Sequence, residues 1–395
     1  MNVMIVYLDN SSTTRPYDEV TKRVVHYMSL DYGNPSSLHE LGLVAEGAVE
    51  KARQQVGESL GKKPEGIVFT SGGTEADNMA IFGVAEKYRR KKGKIVTTRV
   101  EHPAIMRCMD YLEAQGWNIH RLGVDEKGFL RLQDLEEVLD QETVLVSVML
   151  VNNEVGTILA VEEMATLVKQ YNHRHGTQIW FHTDAVQGLG KVKIPEQVDL
   201  ISISGHKIHG PKGIGALWIQ NDLSLPPFIY GGGQEGGRRS GTENVPAIVG
   251  FGEAAFISRR DLDERQKKMQ DMKTYLYTGL NQQLTDIRIN GNMDAEKFSP
   301  AILNVSFLGV RGEVLLHMLE EKGIYVSTGS ACSSHHKGDS PVLTAMGLTR
   351  EEIQGAIRFS FSEDISYGQL DYVIDAVHHS VHGMRRIMNY RNNRE

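Results

Sequence analysis

Residues 66–78 read GIVFTSGGTEADN: a short apolar run, a glycine-rich turn, and the start of a helix-forming segment. A buried strand that leads directly into a helix is half of a βαβ unit. The start of such a helix offers unpaired N–H groups and a positive dipole end to an anion, to which the Thr74 hydroxyl can add. The stretch lacks the GK[ST] ending of a Walker A loop, and it is not a G-x-G-x-x-G fingerprint. A phosphate site and a plain helix cap are both open at this point.

The alternation of strands and helices continues outward from this stretch to about residue 220. Strands are predicted at 94–99, 118–122, 143–150, 178–182, 200–203 and 215–219, and helices at 75–91, 102–115, 132–139 and 161–173. Strands that alternate with helices indicate a mostly parallel sheet covered on both faces. The sequence therefore predicts an α/β fold.

The pattern changes after about residue 255. Apolar residues recur at helical spacing through 263–284, which predicts a long amphipathic helix. Segments at 302–307, 312–322, 325–327, 350–353 and 369–388 then indicate a smaller α+β unit. We place a domain boundary near Arg260. The predicted large domain is 15–260, and the predicted small domain combines 1–14 with 261–395.

Composition excludes several classes of protein. The chain has 395 residues, of which 40% are hydrophobic and 24% charged, an ordinary globular composition rather than a disordered or fibrous one. The net charge of −7 argues against a general nucleic-acid surface. No run approaches the ~18 apolar residues of a membrane span, and the first residues, MNVMIVYLDN, lack the basic start of a signal peptide. Two cysteines cannot form a disulfide framework, so we expect a reduced, cytoplasmic setting.

Two further segments have a charged residue at or just after the end of an apolar strand. WFHTDAVQG (180–188) ends a buried strand with Asp184, and ISISGHKIHG (201–210) puts Lys207 in a polar turn between two apolar strands. Ligands of open α/β sheets lie at the carboxyl ends of strands. Taken singly, Asp184 could be a helix cap and Lys207 a surface lysine. Together with the glycine-rich turn they match the three anchors of pyridoxal phosphate, namely its ring nitrogen, aldehyde and phosphate.

Ten motifs in order resemble those of the pyridoxal-phosphate-dependent cysteine desulfurases of fold type I, in the class V aminotransferase group. They are YLDNSSTT at 7–14, YGNPSSLH at 32–39, TSGGTEADN at 70–78, EHPA at 101–104, NNEVGT at 152–157, HTDAVQ at 182–187, SGHKIHGPKG at 204–213, GGGQEGGRRSGTEN at 231–244, STGSACSS at 327–334 and IRFSF at 357–361. The resemblance covers essentially the whole chain. It implies a large domain with a mostly parallel seven-stranded sheet, a smaller α+β C-terminal domain, and a homodimer.

The resemblance also implies roles for the matched residues. Those that would hold the ring and aldehyde of pyridoxal 5′-phosphate are His102, Asn153, Asp184, Gln187 and Lys207. Those that would hold its phosphate are Gly73, Thr74, Ser204, His206 and, reaching the neighbouring subunit's cofactor, Thr242. Those that would contact the substrate are Asn34, Asn153 and Arg358. Lys207, Cys332 and His102 would be catalytic, and no metal is expected.

Cys332 is the cysteine that the residues themselves favour as reactive. It lies among small polar residues and is followed by His335, His336 and Lys337, whereas Cys108 lies among apolar helix residues and reads as packing. The resemblance implies that L-cysteine gives its sulfur to Cys332 as a persulfide and leaves as L-alanine. The sulfur would pass to an acceptor protein, either an iron–sulfur scaffold or a tRNA-thiolation enzyme.

Some alternatives stay open. A selenocysteine lyase would share nearly every residue above, and a class V aminotransferase would share the cofactor anchors without needing Cys332. The chain has Gly205 and Ser11-Ser12 where the family usually has alanines, and neither change removes a functional group. The histidines after Cys332 are unlike the usual acidic continuation, which leaves the acceptor open. His378 and His382, spaced i, i+4, read as a surface stripe rather than a metal site.

Overall fold

The computed structural model describes residues 4–328 and 339–387, so the predicted Cys332 loop lies outside the described residues. The strands are β1 (Val6–Tyr7), β2 (Ile67–Thr70), β3 (Lys94–Thr98), β4 (Asn118–Leu122), β5 (Thr143–Ser147), β6 (Trp180–Asp184), β7 (Leu200–Ser204), β8 (Gly215–Ile219), β9 (Ile287–Ile289), β10 (Ile302–Phe307), β11 (Ile324–Tyr325), β12 (Ser327–Thr328) and β13 (Ala356–Ser360). The helices are α1 (Asp18–Ser29), α2 (Glu40–Ser59), α3 (Gly73–Lys87), α4 (Pro103–Ala114), α5 (Leu132–Val138), α6 (Val161–His175), α7 (Val245–Arg260), α8 (Leu262–Gln283), α9 (Gly312–Glu320), α10 (Pro341–Ala345), α11 (Arg350–Gln354) and α12 (Tyr367–Ile387).

A seven-stranded sheet forms the centre of the molecule, in the order β2-β8-β7-β6-β5-β3-β4. All neighbours are parallel except β8, which runs antiparallel to both β2 and β7. Every residue of these strands is buried except in β4, one of the two edge strands, because helices cover both faces of the sheet. The predicted α/β fold with a mostly parallel seven-stranded sheet is confirmed.

Successive residues along each strand enter two different cores. Ile95 and Leu145 pack with residues of α3 and α4, whereas their neighbours Val96 and Val146 pack in the larger core that includes α2, α6 and α7. This is the period-two alternation of a strand between two covered faces. It holds the strand ends in fixed relative positions, which is what a site built on those ends requires.

A second sheet lies in the C-terminal part of the chain. Its four strands are antiparallel in the order β12-β13-β10-β9, and α12 packs against α8 and α9. β1 pairs in parallel with β11, and Asp9 bridges to Ser360. The N-terminal residues thus join the C-terminal part, as the predicted division into 15–260 and 1–14 with 261–395 requires, although the division itself stays a prediction. Within the described ranges, no helix has the length and apolar character needed to cross a membrane.

Candidate active site

The carboxyl ends of β2, β3, β5, β6 and β7 meet at one edge of the central sheet, because β8 is antiparallel to both of its neighbours and so leaves β2 pointing the same way as the rest. The segments that follow these strands border a cavity of about 210 Å³. Its lining residues are Ser11, Gly73, Thr74, Asp77, His102, Met149, Asn153, Asp184, Val186, Gln187, Ser204, His206, Lys207 and Arg358. Ligands of open α/β sheets bind at this place.

Ten of the residues singled out in the sequence line this cavity, among them all five that were expected at the ring and aldehyde. Asn34 and Thr242 do not, and both are exposed. Asn34 Oδ1 instead accepts a hydrogen bond from the backbone N–H of Ser36 at 3.0 Å. The remaining predicted site residue, Cys332, lies outside the described residues. The sequence therefore located most of the cavity wall, but these two positions have no place in it within one chain.

Lys207 is positioned by the N-terminal segment of the chain. Its Nζ donates to the backbone carbonyls of Ser11 at 2.5 Å and Ser12 at 2.7 Å. The turn that carries it is held because Thr14 donates both its N–H and its hydroxyl to the carbonyl of His206, at 2.9 and 3.0 Å. Two residues further on, His209 has a left-handed backbone with φ 63°, which its hydrogen bond from N–H to Thr14 Oγ1 at 2.7 Å helps to maintain.

A carboxylate pair and a histidine also line the cavity. Ligand atoms of Asp77, His102 and Asp184 lie within 4.8 Å of one another. Within the part of the chain that the structure describes, no other three side chains able to bind a metal lie so close together. Burial raises the pKa of Asp184 and raises that of Asp77 well above its usual range, the latter further because of the Asp184 charge. Burial lowers the pKa of His102, although Asp184 opposes this. Two buried carboxylates so close favour a cation between them.

Two further buried groups near these side chains, His182 and Glu101, have pKa values shifted toward their neutral forms. His182 lies between the hydroxyls of Ser147 and Ser202, each 2.9 Å from a ring nitrogen, and burial lowers its pKa to about 3. Glu101 accepts hydrogen bonds from Thr98 and the Met149 N–H, and burial raises its pKa to about 8. Burial therefore favours the uncharged form of both groups.

Arg358 enters the cavity from β13 of the second sheet and is only 3% exposed. Its Nη1 donates to the carbonyl of Asn153 at 2.9 Å, and its Nη2 donates to Asp9 Oδ1 at 2.9 Å and Ser12 Oγ at 2.8 Å. The guanidinium is thus fixed in place on several sides. Its Nε is buried without a hydrogen-bond partner among the described residues, so an incoming carboxylate would add a contact that the protein itself does not make.

Sequence reasoning missed four residues of this site, namely Asp9, Ser11, Ser12 and Asp77. The first three lie in YLDNSSTT, a stretch quoted for its resemblance but given no role. Asp77 follows Thr74 by three residues on α3, and its side chain is 1% exposed. A carboxylate on the buried face of a helix is a usable signal, since an aspartate is almost never buried without a partner.

The cavity fits pyridoxal phosphate. Ser204 Oγ, at the end of β7, is buried and has no hydrogen-bond partner within residues 4–328 and 339–387, so it is available to a phosphate oxygen. The first turn of α3 begins at Gly73, where a Cβ would come within 2.7 Å of Val186 Cγ2, so glycine allows the helix start to approach the cavity wall. Asp184 offers a carboxylate whose burial favours a cationic partner, and Lys207 offers an amine. These residues match the phosphate, ring nitrogen and aldehyde.

Comparison with known proteins identifies the family. The class V aminotransferase family matches residues 6–373. Cysteine desulfurase IscS of Clostridium botulinum is 40% identical over 375 residues, which are 94% of this chain and 93% of that protein. A solved NifS-like protein has a TM-score of 0.89 at 39% identity, covering 96% of this chain and 100% of that one. The structure of SspA in complex with cysteine has a TM-score of 0.79 at 31% identity, covering 90% and 99%. The chain therefore belongs to the class V aminotransferases and, within them, to the pyridoxal-phosphate-dependent cysteine desulfurases.

Proposed function

We propose that this protein takes sulfur from L-cysteine, releases L-alanine, and carries the sulfur as a persulfide on Cys332. The observation that carries the proposal is the single cavity in which Lys207, Asp184 and Arg358 meet, because it offers one group each to a cofactor aldehyde, a ring nitrogen and a substrate carboxylate. The similar structure that contains cysteine supports the choice of substrate.

Bound pyridoxal phosphate supplies an electron sink for negative charge that develops at the substrate Cα. Asp184 would hold a proton on the ring nitrogen, since an ionised carboxylate in this buried site is stabilised by a cation. Lys207 would bind the aldehyde and, once displaced, would take the proton from the substrate Cα. His102 would stack on the ring, and burial lowers its pKa, which favours the neutral imidazole. In that form it would accept the proton of the substrate thiol once its Nδ1 releases the hydrogen bond that it accepts from the Ala104 N–H at 3.2 Å.

Neutral donors and one fixed cation would orient the ligands. Thr74 and Ser204 would donate to the phosphate, with His206, whose pKa burial and neighbouring lysines lower to about 4. Gln187 and Asn153 would bond the phenolic oxygen. Asn34 would also lie near the substrate, in the approach from outside the cavity. Arg358 would grip the substrate carboxylate through its planar fork of donors.

An anaerobic assay of the purified protein with L-cysteine tests the function directly. We expect one alanine per persulfide formed before an acceptor is added, with the persulfide on Cys332 and not on Cys108. Cys108 serves as an internal control because it is buried and burial raises its pKa to about 12, which keeps it a thiol.

Cys332→Ser should keep the visible absorbance of the cofactor and lose persulfide and sulfide formation; normal desulfuration by this variant would refute the proposal. Faster turnover of selenocysteine than cysteine would favour a lyase.

The proposed active protein is a homodimer. Exposed apolar side chains cluster from α1 to the start of α2, namely Val25, Met28, Leu30, Tyr32, Leu38, Leu41, Leu43 and Val44. Patches of this kind mark protein interfaces. Thr242 is exposed, as it should be if it reaches the phosphate in the other subunit.

Sedimentation equilibrium should give twice the chain mass. Leu38→Glu, at a side chain 97% exposed, should shift the measured mass toward that of one chain. A monomeric wild-type protein with full activity would contradict the dimer.

The final acceptor of the sulfur would be a protein, either an iron–sulfur scaffold or a tRNA-thiolation enzyme. Protein carrying ³⁵S-labelled persulfide, offered each acceptor in turn, distinguishes the two by which one becomes labelled. The proposal places the reaction in the cytoplasm, where a reducing environment keeps a lone reactive thiol from forming disulfides.

A further inference from the structure

Lys191 has its ammonium buried beside the cofactor cavity, and none of the roles proposed above uses it. Its side chain is 4% exposed. It follows Asp184 and Gln187 on the segment after β6, where Gly190, with φ 68°, turns the chain inward against α7. Removing an ammonium from water costs several kcal/mol, so the contacts that Lys191 makes have to offset that cost.

The contact that Lys191 makes is with the amide of Gln187. Lys191 Nζ lies 3.1 Å from Gln187 Oε1, the hydrogen-bond acceptor that the described residues give this ammonium. Gln187 Nε2 in turn donates at 2.9 Å to the carbonyl of Ser11, which also accepts from Lys207. A glutamine side chain can present either its oxygen or its nitrogen to a neighbour, whereas a protonated lysine only donates. The ammonium therefore requires Oε1 on its own side and leaves Nε2 on the side of Ser11.

The charges that face Lys191 are mostly positive. They are Lys207, Arg265 and Arg358, with Glu363 as the opposing carboxylate. Burial and these three cations lower the pKa of Lys191 to about 7. An anionic oxygen in the cavity would add the negative charge that this cluster lacks, and it would favour the charged form of Lys191.

We propose that Lys191 is a positioning residue of the cofactor site: it fixes the amide of Gln187 so that Nε2 donates to the phenolic oxygen of pyridoxal phosphate. This rests on the proposed role of Gln187 at that oxygen. With the Lys191 ammonium in place, Gln187 presents only donors toward the cavity, and Nε2 has a second N–H for the phenolate oxygen beside the one that it gives to Ser11. Without it, only the hydrogen bond from Nε2 to the Ser11 carbonyl holds the amide, and a turned amide would present Oε1, which would repel the phenolic oxygen.

The test compares two ligands that differ in the phenolic oxygen. Cofactor-free protein is titrated with pyridoxal phosphate and with 3-deoxypyridoxal phosphate, which lacks that oxygen, and each Kd is measured by fluorescence quenching. Lys191→Met should weaken binding of pyridoxal phosphate by at least about tenfold and leave binding of the deoxy analogue within about twofold. The pH at which the visible band of the bound cofactor changes should rise, because a donor and a positive charge that stabilise the phenolate are lost.

Lys273→Met is the matched control. Lys273 is also a buried lysine, 1% exposed, and its Nζ donates to the carbonyl of Ser299, not to a residue of the cavity. This variant should bind both ligands as the wild type does. Equal weakening of both ligands by Lys191→Met would show a merely structural role and overturn the proposal. Gln187→Ala tests the role of Gln187 separately from that of Lys191. If Gln187→Ala weakens binding of both ligands equally, the role of Gln187 at the phenolic oxygen is refuted. If Gln187→Ala weakens only pyridoxal phosphate binding while Lys191→Met weakens neither or both, the role of Lys191 alone is refuted.

Discussion

Replacing Lys207 by arginine is expected to lower the turnover of L-cysteine on the order of 10⁴-fold or more, the largest effect of any single change in the cavity. Arginine keeps the positive charge and can still donate to the carbonyls of Ser11 and Ser12, so the local fold should survive. It cannot bind the cofactor aldehyde covalently, and it cannot take the Cα proton because it does not deprotonate in proteins. Borohydride reduction followed by mass spectrometry should find the cofactor on Lys207 in the wild type and on no residue in the variant.

Lys212→Arg is the control for this experiment. Lys212 lies five residues further along the same loop and is exposed, so the variant should keep wild-type turnover and the reduced cofactor on Lys207. If Lys207→Arg turned over L-cysteine within about tenfold of the wild type, a lysine-dependent mechanism would be refuted.

Replacing Arg358 by lysine should give the second largest loss. Lysine keeps one positive charge but not the planar fork that donates to Asn153, Asp9 and Ser12 and would meet a carboxylate. We expect kcat/KM for L-cysteine to fall about 10³-fold, equivalent to ~4 kcal/mol. Affinity for pyridoxal phosphate should change little. The spectral change that L-cysteine produces in the bound cofactor should need far higher concentrations in the variant, whereas cysteamine, which has no carboxylate, should bind equally to both proteins.

Arg288→Lys is the control for Arg358→Lys, because Arg288 forms an ion pair away from the cavity. Arg288 on β9 pairs with Glu352, and its side chain is 36% exposed. Pairs this exposed contribute little, so Arg288→Lys should leave kcat/KM within about twofold. Loss of cysteamine binding along with L-cysteine binding in Arg358→Lys would mean that the arginine supports the cavity in general rather than the carboxylate.

The strands of the central sheet were the most predictable part of the fold. β4 and β8 have the bounds predicted for them, and so does β10 in the second sheet. The helices α1, α2 and α7 were not assigned. α2 and α7 bury mainly alanine, glycine and valine, and a Cβ at Gly252 would lie 2.7 Å from the Cα of Ala52. Helices that approach so closely need small residues, and small residues give a weak hydrophobic periodicity.

The cavity was predictable where side chains carry its chemistry. Asp184 and Lys207 end or follow apolar strands, and the direction of parallel strands brings them to one edge. What sequence could not show is the contribution of backbone carbonyls. Ser11 and Ser12 accept from Lys207 through main-chain oxygens that every residue type possesses, so no side-chain pattern reveals them. Lys191 was missed because a lysine gives no sign in the sequence of being buried.

The ion pair of Asp9 with Arg358 joins residues that are 349 positions apart in the chain. Closing a loop of that length brings an entropic cost that is repaid only when both ends are packed. On the ribosome, the first residues of the chain must therefore wait for almost the whole of it before they can hold the arginine. A fragment that ends before β13 has the strands that border the cavity but lacks the guanidinium that we propose binds the substrate carboxylate. On the proposed role of Arg358, competence to bind an amino acid is thus among the last properties that the nascent protein acquires, and premature termination would yield a product without it.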